Sequence, residues 1–146
     1  KLNSEGVYEV DDATFAKIKD QFKAGCLSED EILTTIKTCF NETGYLLDTH
    51  TAIGYGVLKQ YQQETGDHTK TVLLSTASPY KFPESVYQAI YGEELDVYTA
   101  IDKLSEKTGV PVPQALAGIK EREVLHKEAI DKTEIISFIK SEIEAM

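Results

Sequence analysis

Apolar residues recur along the chain at helical and strand spacings, and the two spacings divide it into elements. Gly6 to Val10 reads as a short strand, with Val7 and Tyr8 suited to a pleated surface. Asp11 and Asp12 then offer an N-cap to a helix whose apolar face is Phe15, Ile18 and Phe22, with Gly25 at its end. A better-signalled helix follows. Ser28 and Glu31 have capping-box spacing, Ile32, Leu33, Ile36, Cys39 and Phe40 recur on one face, and Gly44 supplies the stop. Asp48 caps the next helix, whose stripe is His50, Ile53, Gly54, Val57, Leu58 and Tyr61 and whose stop is Gly66. Gly54 and Gly56 inside it each cost about 1 kcal/mol relative to alanine, which marks a place of close approach.

Thr71 to Leu74 is a continuous β-branched and aliphatic run, as in a strand buried on both faces. It leads into Ser75 and Thr76, then Pro79 and Pro83, then a helix near Glu84 to Tyr91. Further helices are expected from Leu95 to Thr108, with Val97, Ala100, Ile101 and Leu104 inward, and around Gln114 to Ile119; Pro111 and Pro113 punctuate the link. Glu123 to His126 reads as a late strand, and a last helix starting near Asp131 or Thr133 is expected to bury Ile135, Ile139 and Ile143. Helices with a few interspersed strands predict an α/β, helix-rich fold. The visible strands are too few for a complete parallel sheet, so the expected object is a partial segment. Three stretches compose it: 1–45 (a strand plus two helices), 46–91 (helix, strand, helix) and 92–146 (a helical part).

Composition narrows the function classes. A length of 146 residues suits one domain with a core of its own. The net charge of −10 is spread along the chain, which argues against nucleic acid and anionic membrane surfaces as partners. No apolar run approaches the roughly 18 residues of a membrane span. Cys26, placed at a helix end, and Cys39, on a buried stripe, lack metal-site spacing and fit a reducing, cytoplasmic setting. His50, His68 and His126 show no ligand spacing either, so no metal is expected.

The candidate site is the end of the run at Leu74, because open α/β sheets bind ligands beyond the carboxyl ends of their strands. Ser75, Thr76 and Lys81 lie there. The same hydroxyls also suit a helix cap or a turn, and the residues alone leave both readings open.

Two stretches resemble threonine synthase of the bacterial and fungal branch. Gly44-Tyr-Leu-Leu-Asp-Thr-His-Thr-Ala-Ile-Gly54 is similar to the family's Asp-Pro-His-Thr-Ala run, and Leu74-Ser-Thr-Ala-Ser-Pro-Tyr-Lys-Phe82 to its Leu-Ser-Thr-Ala-His-Pro-Ala-Lys-Phe. Thr49 stands in place of the motif proline, Ser78 in place of its histidine and Tyr80 in place of a small residue. The resemblance covers most of the chain, tightly at the two motifs and loosely after about Gly92.

The resemblance implies the C-terminal segment of a fold-type-II pyridoxal-phosphate enzyme that converts O-phosphohomoserine and water to threonine and phosphate, with 46–91 facing the cofactor. Carried onto this chain, the hydroxyl that meets the pyridine nitrogen is Thr76, with Ser75 in reserve. Lys81 is a candidate for an anionic substrate, or a solvated surface lysine. His50 is a further substrate candidate, read more simply as a packing histidine, and Asp48 as an N-cap. The Schiff-base lysine and the glycine-rich phosphate cradle have no counterpart among these residues. They are expected in the N-terminal half of the same enzyme, the implied partner, so the segment alone is expected to be inactive and not to hold the cofactor. The competing readings are a non-catalytic helical interaction module and another fold-type-II enzyme.

Overall fold

Side-chain caps decide where the main helices begin. The computed structural model of the chain describes residues 1–145. Its helices are α1 (Leu2–Glu5), α2 (Asp12–Gln21), α3 (Glu29–Thr43), α4 (Thr49–Thr65), α5 (Pro83–Tyr91), α6 (Val97–Thr108) and α7 (Ile135–Glu144), with short 3₁₀ turns at Pro79–Lys81 and Ile119–Glu121. Asp11, Ser28, Asp48 and Asp96 each accept a hydrogen bond from a backbone N–H of the first turn they precede. At α3 the capping box is complete: Ser28 Oγ accepts from Glu31 N, and Glu31 Oε2 accepts from Ser28 N at 2.7 Å. Gly44 and Gly66 end α3 and α4 at φ +73° and +70°, where a side chain would strain the backbone.

The chain divides into two compact units, Lys1–Pro113 and the residues from Gln114 onward. In the first, α3 packs against α4 and α5, and α5 packs against α6. Ile36, Val86, Ala100 and Leu104 are fully buried, as are the rings of Tyr80 and Tyr87 to within a few per cent. The α3 and α6 faces match their sequence patterns, except that Val97 stays exposed.

On α4 the buried face differs from the expected stripe. Thr51, Ala52 and Gly56 are buried, whereas Ile53, Gly54, Val57, Leu58 and Tyr61 are half-buried and His50 is exposed. Two local facts cause the offset. Thr51 can be buried because its hydroxyl is bonded to Asp48. Gly56 lets Leu27 nest against the helix: a Cβ there would sit 2.5 Å from Leu27 Cδ1 and 3.2 Å from Thr35 Oγ1. Gly54 likewise faces Leu73, whose Cδ1 a Cβ would meet at 2.9 Å. The close approaches expected at these glycines are therefore made by leucine side chains of the same chain.

Several expectations are corrected. No strand forms among the described residues; Gly6–Val10, Thr71–Leu74 and Glu123–His126 are irregular. A strand exists only when another backbone pairs with it, and none of the three runs has a backbone paired beside it among the described residues. Val72 and Leu74 accordingly remain 82 % and 76 % exposed. The α/β expectation is met in its helix-rich part alone. Helix α2 ends at Gln21, with Phe22 extended, and Phe15, Ile18 and Phe22 stay exposed. Gly25 does not stop that helix but lies against α4, where a Cβ would meet Val57 Cγ1 at 2.9 Å. Cys26 is exposed between α2 and α3 rather than at a helix end, while Cys39 is buried as its place in the α3 stripe predicts.

The second unit departs furthest. Gln114–Ile119 forms turns instead of a helix, because Gly118 adopts φ +66° and breaks the backbone there. α7 starts at Ile135 after Asp131 closes a turn on the N–H and hydroxyl of Thr133. Ile135, Ile139 and Ile143 remain exposed, since among the described residues this unit has no second helix of length to cover them.

The glycine contacts and the caps each lead to a prediction. Gly56→Ala is expected to destabilise the chain in urea unfolding by about 1–3 kcal/mol through overpacking. Gly54→Ala, which meets only the flexible tip of Leu73, stays within about 1 kcal/mol because the gain in helix propensity offsets the clash. The caps contribute to acid sensitivity. The Ser28 N–H and hydroxyl hold the Glu31 carboxylate below its ordinary range, and the Thr99 hydroxyl and N–H do the same for Asp96. Both pKa values fall on folding, so their contribution is complete above about pH 4–5 and is lost as pH drops through the folded values. Acid titration of Glu31→Gln should show a shallower loss of stability in that window than the parent chain.

Candidate functional site

The loop after Leu74 is held against the first turn of α4. Leu73 lies on Gly54, one turn into that helix. At the helix start, Asp48 is 2 % exposed, and a buried carboxylate is tolerable only if its oxygens find donors. They do: Oδ1 accepts from His50 N at 2.9 Å and Thr51 N at 3.1 Å, and Oδ2 accepts from the Thr51 hydroxyl. Its position at the helix N-terminus is favourable for negative charge as well. Thr51 Oγ1 also lies 3.4 Å from Ser75 Oγ, which is 3.4 Å from the Ala77 carbonyl oxygen.

Thr76 follows Ser75 and is exposed, its hydroxyl without a partner among the described residues. Ser78 acts locally, its Oγ accepting from Tyr80 N at 3.2 Å to cap the 3₁₀ turn. Tyr80 is 3 % exposed, and its hydroxyl donates to the Val110 carbonyl just past the end of α6. Burial pushes its phenol pKa up. The loop thus has one tether at each side of Thr76: Ser75 to α4, and Tyr80 to the α6 terminus.

His50 is not the packing residue its place in the pattern suggests. Its side chain is 56 % exposed, with Nδ1 3.3 Å from Thr49 Oγ1 and 3.8 Å from Asp48 Oδ1. Its ring lies 5.5 Å from that of Phe82, beside a cavity of about 250 Å³ that Thr49, Ile53 and Ser85 also line. Lys81 is exposed, with Nζ 5.6 Å from the Phe82 ring centroid. Phe82 therefore brings His50 and Lys81 to one side chain, whereas Ser75 and Thr76 are organised by Thr51. A larger cavity of about 540 Å³ lies between α3 and α4, lined among others by Asp30, Thr38, Tyr55 and Lys59, and includes none of the candidate residues.

Thr51 and Tyr80 organise the site without standing out in the sequence. The Asp48-x-x-Thr51 spacing is the usable signal for the first, since a cap carboxylate reaches both the N–H and the hydroxyl of a threonine three residues on. For Tyr80 no local signal exists; its partner is thirty residues away in the chain.

A family model described as threonine synthase, C-terminal, matches residues 51–139. Threonine synthase-like 1 of Homo sapiens is 31 % identical over 96 residues, covering 66 % of this chain and 12 % of the human protein. The threonine synthases of Pseudomonas aeruginosa and Saccharomyces cerevisiae are 31 % and 30 % identical, each aligned over 63 % of this chain and 19 % of its own length. Among solved structures, pyridoxal-phosphate-bound threonine synthase from Brucella melitensis superposes with a TM-score of 0.59 at 30 % identity, covering 84 % of this chain and 22 % of that one. The family model runs over α4 from Thr51, the Ser75–Thr76 loop and the α5–α6 pair; the chain spans a fifth or less of these curated relatives, and it belongs to the threonine synthase family.

Proposed function

We propose that this chain forms the C-terminal wall of the active site of a threonine synthase, which converts O-phosphohomoserine and water to threonine and phosphate. The observation that carries the reading is the exposed Thr76 hydroxyl, on a loop tethered at Ser75 and Tyr80 within the stretch akin to the family's Leu-Ser-Thr-Ala motif. Pyridoxal phosphate, when bound, supplies an electron sink for carbanions of the substrate. The residues at the loop suit its pyridine nitrogen. Thr76 and Ser75 are neutral hydroxyls, and the nearby carboxylate of Asp48 is buried with both oxygens engaged by donors. A hydroxyl bonds the ring nitrogen without forcing a proton onto it, whereas an exposed carboxylate would favour the protonated ring.

In this reading Thr76 holds the ring nitrogen, and Lys81 offers a point charge to the substrate's phosphate or carboxylate. His50, exposed beside Phe82, is the second polar group within the same surface. The Schiff-base lysine and the cradle for the cofactor phosphate are contributed by the N-terminal half of the enzyme, the chain's partner. Strands from that half pair with the unpartnered Thr71–Leu74 run, which buries Val72 and Leu74 and gives the whole enzyme its α/β character. Alone, the chain is inactive and binds the cofactor weakly.

The test combines the chain with the N-terminal half and follows phosphate release from O-phosphohomoserine. Release is expected only with both parts and pyridoxal phosphate present. Thr76→Val should lower the rate by about tenfold or more, the worth of one well-placed hydrogen bond, and Thr76→Ser should retain most of it. Full activity in Thr76→Val would contradict the assignment.

A further inference from the structure

The hydroxyl protons around Thr51 do not allow every contact to be made in either direction. Thr51 Oγ1 is within bonding reach of both Asp48 Oδ2 and Ser75 Oγ, yet a threonine has one hydroxyl proton to give. The carboxylate is the stronger acceptor and takes it. The proton between Thr51 and Ser75 must then come from Ser75. Ser75 has a second acceptor, the Ala77 carbonyl, and both distances are 3.4 Å. Both contacts are long for O–H···O bonds, and one proton can serve only one of them at full strength. The chain of hydroxyls therefore has a direction, from Ser75 to Thr51 to Asp48. Ser75, although exposed, has its two acceptors on the inner side, so its proton is drawn inward and its lone pairs face outward.

We infer that Asp48 and Thr51 are positioning residues for the cofactor-facing loop: they commit Ser75 as an inward donor and leave Thr76 as the hydroxyl with a free proton for the ring nitrogen. This rests on the threonine synthase reading. It removes the ambiguity between the two adjacent hydroxyls, because a neutral pyridine nitrogen requires a donor and Ser75 has none to spare. It also gives a reason for burying a carboxylate and a threonine side by side at a helix start, where an exposed cap would serve the helix equally well.

Two measurements test it, one of them without cofactor. In the chain itself, a double-mutant cycle of Thr51→Val and Ser75→Ala should show coupling of about threefold to tenfold in the unfolding equilibrium constant. Thr51→Ser, which keeps the hydroxyl, should preserve the coupling. If Thr51→Val does not fold, Ser75→Ala alone serves: the backbone order parameters of Thr76 and Ala77 should fall as the tether is lost. Additive energies, or unchanged order parameters, overturn the relay whatever the enzyme does. In the chain joined to its N-terminal half, the visible absorption of bound pyridoxal phosphate is the second readout. Thr76→Val and Thr51→Val should both shift the band and weaken cofactor binding about tenfold, Thr51→Ser should restore it, and Ser75→Ala should shift it less than Thr76→Val does. A larger shift from Ser75→Ala, or none from Thr51→Val while Thr76→Val responds, overturns the positioning role. Silence of every variant, Thr76→Val included, with coupling intact in the chain, overturns the proposed role of Thr76 at the cofactor and the positioning role with it.

Discussion

A buried carboxylate must be given donors on both oxygens, and in this chain meeting that requirement organises everything near the site. Asp48 is out of water, so the first turn of α4 supplies two N–H groups and Thr51 supplies a hydroxyl. Leaving one of those acceptors unpaired would cost about 1–3 kcal/mol, more than a surface cap contributes. The same geometry fixes the start of α4, turns Thr51 inward and shifts the helix's buried face onto Ala52 and Gly56. Thr51 then reaches the loop that carries Ser75 and Thr76. One desolvated charge thereby links helix start, core register and candidate site.

The rest of the first unit keeps that arrangement in place. Gly56 admits Leu27 and Gly25 admits Val57, so the segment entering α3 lies close to α4. Leu73 against Gly54 and Tyr80 against Val110 hold the candidate loop at its two ends. Tyr80 stands where the motif that this stretch resembles has a small residue. Here an aromatic ring fills the space below the loop, and its hydroxyl satisfies the carbonyl beyond α6, so the departure from the motif is a packing solution. Ser78, another departure, caps the 3₁₀ turn.

How much the sequence revealed depended on how local the controlling physics was. Caps and stops at Ser28, Glu31, Gly44, Asp48 and Gly66 were legible because their chemistry acts within four residues. The faces of α3 and α6 were legible because a helix covered on one side has one periodicity. Strands were not, because pairing is a property of two segments: Thr71–Leu74 has the composition of a buried strand and no partner among the described residues. α7 has a clear isoleucine stripe that stays exposed among the described residues. At the candidate site, Thr76 could be named from a motif, whereas its support by Thr51 and Tyr80 depended on contacts across 24 and 30 residues. His50 looked like the start of an apolar face and is exposed, because the offset imposed by Thr51 and Gly56 rotates it outward.

The central claim is that Thr76 donates a hydrogen bond to an uncharged ring nitrogen. Nitrogen NMR of ring-labelled pyridoxal phosphate, bound to the chain joined with its N-terminal half, reads that atom directly. The expected result is the shift of a neutral, hydrogen-bonded pyridine nitrogen that moves when Thr76 is replaced by valine and moves less when Ser75 is replaced by alanine. A pyridinium shift, or one indifferent to Thr76, would contradict it.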